Sequence, residues 1–172
     1  LVPSAGVEVT DIITGKVIPD TLDERYRQQL AQRLLSQLRY HKGEILPGET
    51  VTAKADTRMA LLRIDYLVRL VGVTGMVIKY GPGSLVTRRR SALAISRLAM
   101  PYQIPVVVIT NGIDAEVVDG STGTVTATGL HAIPERRDLV DRLRHFNPVP
   151  IPLEQREVEE RILYAFEVDD SC

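Results

Sequence analysis

The stretch that decides the fold is Leu62-Arg63-Ile64-Asp65-Tyr66-Leu67-Val68-Arg69-Leu70, followed after Val71 and the turn Gly72-Val73-Thr74-Gly75 by Met76-Val77-Ile78-Lys79-Tyr80. Strict alternation of Leu62, Ile64, Tyr66, Val68 and Leu70 with mostly polar neighbours is the signature of a half-buried strand. The glycine-bounded turn then predicts an antiparallel hairpin with 76–80. Side chains at i and i+2 of a strand share a face, so Val77 and Lys79 point the same way. An ion pair between Asp65 and Lys79 across the hairpin is expected, because a charge ending a short apolar strand is costly unless paired.

Working outward, Leu22, Tyr26, Leu30, Leu34 and Leu38 recur every four residues and predict an amphipathic helix over 22–40. Asp20 and Thr21 stand at its start, and Glu24 three residues after Thr21 completes a capping-box pattern. Turns follow at 41–43 and 47–48, and 51–70 reads as two extended segments. Beyond the hairpin, Gly81-Pro82-Gly83-Ser84 breaks the sheet, a helix spans 87–100, and Val106-Val107-Val108-Ile109 reads as a strand buried on both faces. Short strands over 115–119 and 124–128 and helices over 134–145 and 153–166 complete the chain, the helices separated by a proline-rich stretch, 148–152.

Helix, hairpin, strand ending in Lys, helix, strand is the order of a restriction-endonuclease-like α/β core with a central mixed β-sheet flanked by helices. The strings 62–68, Met76-Val77-Ile78-Lys79 and Pro105-Val106-Val107-Val108-Ile109-Thr110-Asn111-Gly112, with Asp23-Glu24-Arg25-Tyr26-Arg27 in the opening helix, resemble the N-terminal domain of type I restriction enzyme R subunits. That domain belongs to the PD-(D/E)xK nuclease superfamily. The resemblance implies a restriction-endonuclease-like domain over 1–134 and a C-terminal helical extension over 135–172 packed on the same domain.

It also implies a site in which an Asp and a Glu hold Mg²⁺ or Mn²⁺ and a Lys supports the attack on a phosphodiester, the cation offsetting charge and acidifying water. Asp65 and Lys79 match the catalytic Asp and Lys, with Val77 in the acid's place. Ser91 and Ile95 stand where family members carry Gln and Tyr. Glu24 is a second metal ligand beside Asp65, or the partner in the capping box. A Glu at position 77 would share a face with Lys79 and approach Asp65. The motif is therefore degenerate. Its first reading is a stand-alone, catalytically impaired nuclease-fold protein acting as a nucleic-acid-binding or regulatory module, with no cofactor. The alternatives are an active Mg²⁺-dependent DNA endonuclease with a relocated carboxylate, from Glu24, Asp56 or Glu49, and a protein-interaction module without nucleic acid.

Charge narrows the partners. With 21 Lys+Arg against 22 Asp+Glu the net charge is −1, so no global field draws the chain to DNA or to a membrane surface. A local patch would have to do so, and Gly83, Ser84, Arg88, Arg89 and Arg90 form the candidate, where backbone N–H groups and a helix start favour phosphate. The loop lacks the Gly-Lys-Ser/Thr ending of a nucleotide-binding P-loop. One cysteine, Cys172, leaves no disulfide framework and fits a reducing cytoplasm. No apolar run reaches membrane-spanning length, and the start lacks a basic segment followed by an apolar core.

Overall fold

The structure, a computed structural model, describes residues 6–169; Cys172 lies outside them. Its centre is a six-stranded mixed sheet of β3 (Ile45–Pro47), β6 (Tyr66–Leu70), β7 (Val73–Tyr80), β8 (Val106–Thr110), β9 (Ala115–Asp119) and β10 (Val125–Thr128). The strand order is β10-β9-β8-β7-β6-β3, with β7 and β8 parallel and every other neighbouring pair antiparallel. The parallel pair is joined through α2 (Arg89–Leu98), the crossover that parallel strands require. This α/β architecture, flanked by helices, is the fold class expected from the sequence. Two short strands, β1 (Glu8–Thr10) and β2 (Val17–Pro19), form a separate hairpin before α1 (Leu22–Ser36).

Each face of the sheet buries its own apolar cluster. Tyr66, Val68, Met76, Ile78, Val106 and Val108 pack with Leu30 and Leu34 of α1 and with Leu139 and Leu143 of α3 (Arg136–Arg144). Leu67, Val77, Val107 and Ile109 face Ile95 of α2 and Leu163 of α4 (Leu153–Glu167). All five residues of β8 are buried, as its unbroken apolar run requires. Both C-terminal helices thus contribute to the same cores as the sheet.

Three sequence expectations change. The helix at 22–40 ends at Ser36, because Arg39 adopts a left-handed backbone (φ 66°) and the Tyr40 N–H turns back to the Leu34 carbonyl at 2.9 Å. Leu38 and Tyr40 stay buried past the helix end, so their spacing reflects the core rather than the helix. The hairpin reverses at Val71 and Gly72, both left-handed, one position earlier than read. Gly75 lies inside β7 at a register shift, where a Cβ would come within 2.6 Å of the Leu143 side chain.

The third change decides the site. Residues 62–70 are not one strand: β5 (Arg58–Arg63) pairs with β4 (Thr50–Ala55) in a separate two-stranded sheet, the chain bends at Ile64–Asp65, and β6 begins at Tyr66. Ile64 joins the cluster under α2 and α4, whereas Tyr66, Val68 and Leu70 face α1 and α3. The same alternation thus serves two sheets.

Candidate functional site

Asp65 occupies this bend, 7% exposed. The β6–β7 ladder starts at Tyr66 opposite Ile78, so the Tyr80 N–H lies beyond it and donates instead to Asp65 Oδ2 at 2.8 Å. The other carboxylate oxygen accepts from Arg27 Nε of α1 at 2.6 Å. Leaving the strand lets the carboxylate reach the α1 side of the sheet.

Arg27 is the centre of this network. Its Nη1 lies 3.4 Å from Glu24 Oε2, and its guanidinium sits over the Tyr80 ring at 5.2 Å. The Tyr80 hydroxyl donates to Asp23 at 3.0 Å, its ring stacks on Tyr26 at 5.9 Å, and the Tyr66 hydroxyl donates to the Arg27 carbonyl at 2.9 Å. Burial weakens the Arg27 cation, but the hydrogen bond and charge of Asp65 outweigh it and raise its pKa. Burial, reinforced by the bond to Asp23, pushes the Tyr80 phenol up to about 12. Glu24 forms half of the expected capping box: its N–H donates to Thr21 Oγ1 at 3.1 Å, while its carboxylate accepts from Gln28 Nε2 at 3.1 Å rather than from the Thr21 backbone.

The two carboxylates expected to share a divalent ion therefore share a guanidinium. Among the described residues no group of three or more His, Cys, Asp or Glu side chains is arranged to hold a metal ion. Both carboxylates are paired with Arg27, and an apolar residue, Val77, stands in the remaining acid's place.

Lys79 shares its strand parity with Val77, on the side of α2 and α4, and pairs with Glu167 of α4 at 3.2 Å. The expected Asp65–Lys79 ion pair is not formed. Bending at 64–65 sends the carboxylate to α1, and α4 supplies Lys79 with a nearer acid. Val77 is 1% exposed, between Leu67 and Val107 in the ladder. Ser91 is buried with Oγ donating to the Arg88 carbonyl at 3.2 Å, and Ile95 is part of the apolar core.

The three arginines separate in space. Arg89 binds both oxygens of Glu116 on β9 at 2.6 Å, and Arg90 binds Glu159 of α4 at 2.8 Å. Among the described residues Arg88 has no carboxylate partner: its Nη2 donates to the Pro82 carbonyl at 3.0 Å, and its buried Nε is without a hydrogen bond. Its side chain lies against Gly81, where a Cβ would come within 2.3 Å of Nε. Gly83 and Ser84 are exposed beside it, and the Gly83 carbonyl accepts from Asn111 at 3.0 Å.

Sequence reading missed Arg27 as the partner of Asp65, and Glu159 and Glu167 as the acids that answer the arginines and Lys79. Arg27 stood one turn from Glu24 in a quoted string, which was the available signal.

An α/β domain with Lys79 on its central hairpin and Asp65 at the bend that leads into it is what the fold and site define. The family model of the Type I restriction enzyme R protein N terminus (HSDR_N) matches residues 22–134, and the chain belongs to this family. That span runs from the first residue of α1 to Pro134, just before α3, so Glu159 and Glu167 come from beyond it. Neither a curated protein nor a solved structure matches the chain. No helix among the described residues is long and apolar enough to cross a membrane.

Proposed function

We propose that this domain is a nuclease-fold module that has exchanged its metal site for an internal ion-pair network, and that it acts as a binding or regulatory domain rather than as a phosphodiester hydrolase. The observation that carries this reading is the Arg27 guanidinium between Asp65 and Glu24. A PD-(D/E)xK site works by concentrating cationic charge against a phosphate. Here Arg27 neutralises the Asp, Val77 replaces the acid, and Glu167 neutralises the Lys. The same self-neutralisation narrows the candidate nucleic-acid patch at 83–90 to Arg88 and the Gly83–Ser84 loop, because Arg89 and Arg90 are engaged.

A protein partner is the second reading, favoured by Met59 and Leu61, which are 66% and 69% exposed on one face of β5. The test of the main proposal is incubation of the protein with duplex and single-stranded DNA in Mg²⁺ or Mn²⁺. No cleavage above that of Asp65→Ala protein is expected, and cleavage that disappears in Asp65→Ala would overturn it.

A further inference from the structure

A cavity of about 510 Å³ opens at the far end of the sheet from Asp65, beside Pro105 before β8 and Asp119 at the end of β9. One wall is the strap 146–152, which supplies Phe146, Val149 and Ile151. This wall is fixed. Gln103 N–H donates to the Val149 carbonyl at 3.3 Å, and Ile151 N–H to the Pro101 carbonyl at 3.0 Å. Pro150 restricts the backbone between those bonds, and Pro148 and Pro152 restrict it on either side. The Phe146 ring lies 6.0 Å from Tyr102, whose hydroxyl accepts from the Thr74 N–H at 2.9 Å.

Two guanidinium groups also line the cavity. Arg97 donates Nε to Gln103 and Nη1 to Glu159, but Glu159 is shared with Arg90, so two arginines answer to one carboxylate. Arg142 uses Nη2 for Asp119 at 3.1 Å and for the Pro105 carbonyl at 3.2 Å, and its Nε and Nη1 have no partner among the described residues. Asp119 Oδ1 is occupied by Ser121 and Thr122, which with Arg142 hold its pKa down against burial. Arg97 and Arg142 thus stand in the cavity lining with Asp119 as its one carboxylate, beside a preformed apolar wall.

We infer that this cavity binds a small organic oxyanion, a carboxylate or phosphate ester, with its charged head on an unused N–H of Arg142 and its flat apolar body against Phe146, Val149 and Ile151. The volume suits a small molecule, and the Arg142 Nε and Nη1, on different edges of the guanidinium, each leave a charge-assisted N–H for one oxygen of an oxyanion. The inference is independent of the Asp65 region, and its outcome leaves the nuclease question untouched.

The test uses amide and Arg Nε shifts of the whole chain titrated with benzoate, phenyl phosphate, inorganic phosphate and benzyl alcohol. Benzoate or phenyl phosphate should shift 145–151 and the Arg142 Nε signal, and the better of the two should bind about tenfold or more tightly than inorganic phosphate or benzyl alcohol. Their ratio separates a carboxylate from a phosphate ligand. Val149→Trp, which fills the cavity from a 62% exposed position, should abolish the shifts without lowering Tm. Arg142→Gln should weaken the anions and leave benzyl alcohol unchanged. Equal binding of all four probes, shifts scattered over other arginines, or binding that survives Val149→Trp would overturn the inference.

Discussion

Arg27 Nε and Asp65 Oδ1 lie 2.6 Å apart, joining the middle of α1 to the residue that turns the chain from β5 into β6. The bond links elements 38 residues apart and puts a fixed organic cation where the resemblance leads one to expect a hydrated inorganic one. A guanidinium differs from a divalent ion in consequence as well as in charge: it cannot acidify a water, and it does not dissociate.

If this pair is structural, Arg27→Met should cost about 2–3 kcal/mol, because it leaves the buried Asp65 carboxylate with the Tyr80 N–H alone. Asp65→Asn should cost less, since its amide oxygen still accepts from Tyr80. The double variant should be more stable than the sum of the two losses predicts, a positive coupling readable by denaturant unfolding.

Val77→Glu should destabilise by about 3 kcal/mol or more, because position 77 is sealed among apolar side chains and Lys79, on the same strand face, is already paired with Glu167. Mn²⁺ should not restore its Tm, since the Asp65 carboxylate is bound on the α1 side while position 77 faces α2 and α4. Val77→Ala, which creates a cavity without a charge, should cost less, and thermal melts of both variants with and without Mn²⁺ check the comparison.

How much of this was legible follows from what a sequence pattern encodes. Periodicity reports burial along one element, so α1, the β6–β7 hairpin and the doubly buried β8 were all readable. It cannot tell one strand from two when both keep the same phase, which is why Leu62 to Leu70 read as continuous and the bend at Asp65 stayed hidden. Three-residue strands such as β1, β2 and β3 are too short to show a period. Partners distant in sequence left no local trace: Lys79 with Glu167, and Arg90 with Glu159, meet only because α4 packs beside α2 and over the β4–β5 hairpin. That a helix aims the three arginines 88–90 in different directions was legible from their adjacency; the acids that Arg89 and Arg90 meet, Glu116 and Glu159, were not.

Glu159 makes a pH prediction. Burial raises its pKa, but the hydrogen bonds from Arg90 and Arg97 outweigh that and bring it below the ordinary 4.5. A depressed folded-state pKa means that its stabilisation is complete above about pH 4.5 and is lost as pH falls through the lower folded value. Glu159→Gln should therefore lower stability at pH 7 and flatten its acid dependence below pH 4.5, as seen in unfolding curves at stepped pH.

Any DNA binding should respond to Arg88→Ser and show a shallow salt dependence, since few phosphate contacts are available. Arg89→Ser should lower Tm by releasing Glu116, and Arg90→Ser should lower it less, because Arg97 still holds Glu159. An electrophoretic mobility series at stepped salt, paired with melts of the three single variants, separates loss of contact from loss of fold.

The claim that a guanidinium has taken the cation's place is tested most directly by Mn²⁺ titration followed by electron paramagnetic resonance, on wild type, Arg27→Met and Arg27→Met/Asp65→Asn proteins. The account predicts no specific Mn²⁺ site in wild type, and any site gained in Arg27→Met should be lost again in the double variant. Stoichiometric Mn²⁺ binding by wild type that is abolished by Asp65→Asn would contradict it.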